Sequence, residues 1–374
     1  MTDAGVESRR LAIAALVRID AEAAYANLVL PHLLERSSLD QRDRGFVTEL
    51  VYGATRMRRA VDYLADRFVE RGDVDASTRA ALRIGAYQLH FLGTPPHAAV
   101  DATVAAAPKR ARGFVNAILR RVADSTVTWP SDAIRLSYPD WIVSRLQDDL
   151  GERAVAVLET MNEPAEVHVR SDGYRQDLSS QQVVELVGPA RRVLDVCAGP
   201  GGKATAIAHQ ADFVVGTDPH THRARLVRAA AEATGTDVHV VVADGTRPPF
   251  AGAGLDAVLV DAPCSGLGSL RRRPDARWRI AADDVDRLAD LQFRLVEQSA
   301  RLIRPGGRLV FSVCTLTDAE STRVDAEVAR RLPQLAPVPE VFSEPWEPHG
   351  RGGRLLPDAF AGDGMAAFVY QLDH

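Results

Sequence analysis

Between residue 6 and about residue 124, apolar side chains recur every three or four positions: Leu82, Ala86 and Leu89 in one stretch, Phe114, Val115, Ile118, Leu119 and Val122 in another. That spacing puts them on one helix face, which a neighbouring helix must cover, so residues 1–125 read as an all-α bundle. Breaks fall at GTPP, 93–96, and near Pro108. Pro130 and Pro139 open a linker, 126–180, which contains a predicted helix from Ile142 to Met161 and an irregular piece around Pro164. From about residue 190 the pattern changes to VLDV, FVVGTD, VHVVVAD, LDAVLVDAP, RLVFSVC and AAFVYQL, short runs that alternate with helical segments. Strands alternating with helices predict a largely parallel sheet over 181–374, with ligands gathering at the strands' carboxyl ends.

Asp195, Asp218, Asp244, Asp261 and Cys314 all stand at those ends. Carboxylates are costly inside a strand, so these acids are expected to face a shared crevice. The first strand runs into VLDVCAGPGGKATAIA, 193–208, a strand, glycine-rich turn and helix. A phosphate-binding P-loop would need glycine where Cys197 stands and Ser or Thr where Ala204 stands. A dinucleotide fold stays open, because Asp218 lies about twenty residues on, where an acid meets ribose hydroxyls. The same geometry serves S-adenosylmethionine, and Asp244 in VVVADGT favours it, being placed to meet an adenine amino group or, alternatively, to form a turn. Lys203 is one of two lysines, with Lys109, in a chain that otherwise uses arginine. Its retention points to a need for a compact ammonium.

Composition narrows the classes. With 46% apolar and 25% charged residues, the chain is neither disordered nor fibrous. The start, MTDAGVESRR, holds no apolar signal core and no apolar stretch reaches membrane length, so the expected location is cytoplasmic, with no membrane partner. Three cysteines, 197, 264 and 314, without a CxxC pair or histidines at ligand spacing, argue against a disulfide framework and a metal site. Net charge is −5, but residues 1–125 carry 18 basic against 15 acidic side chains, which permits RNA binding there. A sharper basic feature is the run Arg271, Arg272, Arg273, Arg277 and Arg279, where phosphate contact is expected beside a strand end.

VLDVCAGPGGK, DAPCSGLGSLRRRPD and FSVCT, in this order on strand ends, resemble the hallmark motifs of the RsmB/Sun family of RNA (cytosine-5) methyltransferases. RDRGFVTELVYGATR, 42–56, LRIGAYQLHFL, 82–92, and GFVNAILRR, 113–121, resemble the NusB-like RNA-binding domain that precedes the catalytic domain in its bacterial members. The resemblance implies a NusB-like bundle followed by a Rossmann-like class I methyltransferase domain. It implies S-adenosyl-L-methionine as cofactor, held by Cys197, Ala198, Gly199, Pro200, Gly201, Gly202, Lys203, Asp218, Arg223, Asp244, Gly245 and Asp261. It further implies Cys314 as the nucleophile toward cytosine C6, Asp261 and Lys203 as partners of the base, and Cys264 as the thiol that assists release. RNA contacts are expected from Arg170, Arg271, Arg272 and Arg273, ribosomal RNA is the expected partner, and a monomer is favoured.

The chain departs from the family pattern at three places. Val313 stands before the nucleophile where Thr is usual, and the acidic stretch after it is reduced to Asp318, Glu320 and Ser321. Between Arg170 and QDLSS, 176–180, only SDGYR remains of a small RNA-binding subdomain. Two further readings stay open: a non-catalytic RNA-binding assembly factor, and a methyltransferase with a transfer RNA target. An NAD-dependent oxidoreductase would leave both strand-end cysteines unexplained.

Overall fold

A computed structural model describes residues 3–22, 24–70 and 72–373. The chain forms two compact units: Met1–Ser144 with Arg272–Arg279, and Arg145–Arg271 with Ile280–His374. The stretch 126–180, read as a linker, is thus divided between them.

The first unit is helical, as the apolar spacing predicts. It contains α1 (Asp3–Ala21), α2 (Ala26–Glu35), α3 (Gln41–Arg56), α4 (Arg58–Asp66), α5 (Ala76–His90), α6 (Pro96–Ala106), α7 (Arg112–Asp124) and a short α8 (Asp132–Arg135). Asp40 and Asp75 cap α3 and α5 by accepting from the amides of Asp43 and Thr78. Leu82 and Ala86 on α5 and Val115, Ile118, Leu119 and Val122 on α7 enter one core, whereas Phe114 is exposed. Arg83 is buried among them, with bonds of 2.7 Å to both oxygens of Asp62 and 2.5 Å to Asp20.

The second unit carries the sheet. After α9 (Asp140–Leu150), whose residues 140–144 belong to the first unit, and α10 (Ala154–Thr160) come α11 (Leu178–Val187), β1 (Arg192–Asp195), α12 (Gly202–Ala208), β2 (Phe213–Asp218), α13 (Thr221–Thr234), β3 (His239–Val242) and β4 (Leu255–Asp261). Then follow α14 (Ala282–Ala300), β5 (Ile303–Val313), α15 (Thr322–Arg331), β6 (Leu335–Pro337), β7 (Glu347–His349), β8 (Gly352–Leu355) and β9 (Met365–Leu372). The single helix expected from Ile142 to Met161 is two, because Gly151 adopts φ +57° and ends α9.

Strand order is β3-β2-β1-β4-β5-β9-β8-β7, with β6 also on β9; β1 to β5 run parallel and β9 is antiparallel to its neighbours. Successive residues of the central strands enter opposite cores: Leu194, Val258 and Val260 pack with Phe293 and Val296, while Val193, Ala257 and Leu259 pack with Val183, Val187 and Ile207. Burial on both faces is why these strands read as continuous apolar runs. The order reverses between β1 and β4, and a crevice opens beyond their carboxyl ends.

Candidate active site

The glycine loop is built for close approach. Gly201 adopts φ +114° as it caps α12, and a Cβ there would lie 2.9 Å from the Cβ of Ala230 and 3.0 Å from the Cα of Val227. A Cβ on Gly199 would come within 2.6 Å of Asp218 Oδ2. The loop hangs between strands: the Val196 amide donates to Leu259 O at 2.9 Å and that of Ala198 to Thr217 O at 2.8 Å. A cleft opens over it, lined by Cys197, Ala198, Gly199, Pro200, Gly202, Lys203 and Asp261, together with Asp195, Ser180, Asp177, Gln176, Arg175 and Tyr174.

Lys203 Nζ donates to Asp261 Oδ2 at 2.7 Å and to Ser180 Oγ at 3.3 Å, and Ser312 Oγ donates to Asp261 Oδ1 at 2.8 Å. Burial alone would lower the Lys203 pKa, but Asp261, with Cys314 and Asp195 beyond it, outweighs burial and raises it above lysine's ordinary value. Asp195 is fully buried and its Oδ1 lacks a hydrogen-bond partner. Burial first, and the charge of Asp261 second, push its pKa up to about 7.

The two strand-end cysteines meet, their Sγ atoms 3.3 Å apart. The bond to Cys314, then burial, then the charges of Cys314, Glu320 and Asp261 raise the Cys264 pKa well above a thiol's usual value. The Cys197 thiol, in the cleft lining, is also raised, by burial first and then by the charges of Asp195, Asp261 and Asp218.

Asp218 lies just outside this cleft lining. It accepts from the His220 amide at 2.9 Å and from Arg223 Nε at 2.8 Å, and Arg223 also donates to Gly199 O. These bonds use two of its four lone-pair sites. Asp244 is exposed and takes both the amide and the hydroxyl of Thr246, at 2.9 and 2.8 Å, a turn-forming arrangement that holds its pKa low. Gly245 is buried, and a Cβ there would meet Val196 Cγ1 at 2.4 Å, so its visible duty is close packing behind the loop.

The arginines expected to contact RNA need correction. Arg170 is spent beneath the glycine loop, donating to Gly202 O at 2.5 Å, Gln176 at 2.8 Å, Thr205 Oγ1 at 3.0 Å and Asp172 at 2.5 Å. Arg271 is buried, donating to Gly362 O beside Asp363. Arg272 is half-buried and Arg273 exposed. Arg277, read as part of the same patch, lies fully buried 3.9 Å from the centre of the Tyr138 ring, and burial lowers its pKa to about 10. Arg279 covers Tyr25 and pairs with Asp275 at 2.5 Å. A run of arginines in sequence is here largely internal bracing.

Sequence reasoning gave no role to Ser180, Tyr174, Ser312 or Glu320. Ser180 falls in the QDLSS stretch, which is a usable signal, and Asp195 was visible as a strand-end acid. Among the described residues no group of His, Cys, Asp and Glu is arranged to hold a metal, and no helix is long and apolar enough to cross a membrane.

The profile of a family described as 16S rRNA methyltransferase RsmB/F matches residues 185–371, and that of the NusB family matches residues 6–124. A ribosomal RNA small subunit methyltransferase B of Thermus thermophilus is 36% identical over 365 residues, covering 88% of this chain and 89% of the relative. A protein of Bacillus subtilis named probable ribosomal RNA small subunit methyltransferase B is 30% identical over 434 residues, covering 96% and 97%. In fold, the crystal structure of PH0851 superposes with a TM-score of 0.79 at 18% identity, covering 99% of each chain. A methyltransferase homologue from Pyrococcus horikoshii superposes at 0.56 and 21%, covering 66% of this chain and 100% of its own.

Proposed function

From the premise that this chain belongs to the RsmB/F family of 16S rRNA methyltransferases, with a NusB-family domain ahead of the catalytic one, we propose that it methylates C5 of a cytosine in small-subunit ribosomal RNA through a covalent bond from Cys314 to C6. The observation that carries this reading is the pair of sulfurs 3.3 Å apart, near enough to the Lys203–Asp261 pair to feel its charges, with that pair and the glycine cradle lining one cleft. The residues present fit S-adenosylmethionine: glycines 199 and 201 leave room that a Cβ would fill, and Asp195 presents an unpartnered carboxyl oxygen in the cleft lining. Gly199 to Gly202 would hold it, with Asp218 toward its ribose and Asp195 toward its charged end. When bound, it supplies an electrophilic methyl group.

The chain's own residues do the rest. Cytosine C5 is a poor nucleophile until a thiolate adds to C6 and makes the ring an enamine. Cys264 stands 3.3 Å from the Cys314 sulfur, close enough to donate to it when the C6–S bond breaks. Asp261, oriented by Lys203 and Ser312, accepts from the base's amino group and favours the ring protonated at N3, which takes through water the proton that the Cys314 thiol gives up and returns it when the sulfur leaves. After methylation the C5 proton leaves to water, the electrons of that bond form the C5–C6 double bond, and the C6–S bond breaks. Cys264 donates to the departing sulfur. Bisulfite sequencing of ribosomal and transfer RNA from cells with and without the protein tests the proposal. One cytosine of small-subunit RNA should lose protection when the protein is absent; a lost site confined to transfer RNA would move the substrate, and no lost site would end the reading.

A further inference from the structure

Glu320 is fully buried, yet the reaction above does not use it. Its Oε1 accepts from the Ser265 amide at 2.7 Å and from Gln292 Nε2 at 3.1 Å. Its Oε2 accepts from the hydroxyls of Ser265 at 2.5 Å, Thr315 at 3.0 Å and Thr317 at 3.0 Å. Five donors on one carboxylate satisfy it without a cation, which is how a buried charge is tolerated. What distinguishes these donors is their position. Ser265 directly follows Cys264, Thr315 directly follows Cys314, and their hydroxyls lie 2.8 Å apart. Gln292, from α14, also donates to Pro263 O at 3.0 Å, just before Cys264. The two loops that carry the sulfurs leave different strands, β4 and β5, and the carboxylate ties them together.

We propose that Glu320 is a positioning residue for the thiol pair, fixing the separation of the two sulfurs by binding the residue after each cysteine. The catalytic consequence rests on the methyl-transfer reading, whereas the separation itself does not. Without this tie the loops part, Cys264 no longer donates to Cys314, and release of the product is what slows. Its charge also helps keep the proton on Cys264.

Two readouts test it. The first needs no RNA: phenylarsine oxide condenses with two neighbouring thiols, forming two As–S bonds and releasing water. Wild type should bind it tightly, Cys264→Ala and Cys314→Ala should not, and Glu320→Gln should bind it at least about tenfold more weakly, since a small misplacement carries a large penalty. Ser265→Ala and Thr315→Val, which each cut one tie, should fall between and cover the case in which Glu320→Gln fails to fold. Tyr370→Phe, which removes a buried hydrogen bond to Asp325 elsewhere in the same unit, controls for lost stability and should bind like wild type. The second readout is decay of the covalent RNA adduct, which Glu320→Gln should slow by roughly tenfold to a hundredfold while forming it normally. Arsenical binding unchanged in Glu320→Gln, or weakened equally in Tyr370→Phe, overturns the proposal. Absence of any adduct even in Cys264→Ala would instead count against the methyl-transfer reading and leave the arsenical to decide the role of Glu320.

Discussion

A carboxyl group buried with one oxygen unpartnered, as in Asp195, has its protonation coupled directly to folding. Unfolded, it ionises at a pH of about 3.9; folded, its pKa is about 7. Between those values the folded state holds a proton that the unfolded state has released, so stability falls as pH rises through the window and levels off above it. Asp195→Asn removes this titration. Urea unfolding should show the variant gaining on wild type from pH 4 to pH 7, by up to roughly 4 kcal/mol, and parallel pH profiles would refute the burial argument. The sequence showed Asp195 only as one strand-end acid among several. Its distinction is one buried oxygen without a partner, which depends on what the fold brings near and has no local signature. Cys264 and Cys314 differ in this respect, since each sits in a motif whose residues could be read directly, though not their 3.3 Å approach. Glu320 shows the reverse: its donors come from three separate segments, so only the packed structure reveals them.

At the scale of elements, the short hairpin around SDGYR braces the glycine loop. The Arg170 amide donates to Tyr174 O at 2.9 Å, and the Arg170 guanidinium reaches Gly202 O. Side chains of Arg170 and Asp172 are 8% and 9% exposed, so removing the cation leaves a nearly buried carboxylate with only the Tyr174 amide and His209 as partners. Arg170→Ala should cost roughly 2–4 kcal/mol, weaken S-adenosylmethionine binding and leave the salt dependence of RNA binding unchanged. Calorimetry and filter binding check this; a shallower salt slope at unchanged stability would restore Arg170 as a phosphate contact. The central strands were legible because burial on both faces makes them apolar throughout, and the helical stripes were legible because one face is buried. Strands β6, β7 and β8 were not. Gly352 and Gly353 lie in β8 because a Cβ would meet Ala367 O at 2.2 Å or the Phe342 ring at 2.5 Å, a packing demand that strand propensity cannot register. The split between α9 and α10 rests likewise on the backbone angle of one glycine.

For the molecule as a whole, charge counted along the sequence overstates what RNA can reach. Arg56 and Arg83 of the helical unit are buried, and Arg59 is held by Asp140 through bonds of 2.9 Å. Arg42, Arg44, Arg120 and Arg121 remain exposed. Replacing these four with Gln should flatten the dependence of RNA affinity on salt, by about 0.7 in logarithmic slope for each phosphate of single-stranded RNA that is no longer neutralised. Filter binding across a salt series reads this directly, and an unchanged slope would leave the helical unit without an RNA-docking role. The central claim, methyl transfer to cytosine through Cys314, is tested most directly by trapping. Cys264→Ala, incubated with unmethylated small-subunit RNA and S-adenosylmethionine, should accumulate a covalent complex that survives denaturation. Nuclease and protease digestion followed by mass spectrometry should then find a methylated cytidine nucleotide bonded to the peptide containing Cys314. A complex with no methyl group on the base, a nucleotide other than cytidine, or no covalent complex at all would contradict the account.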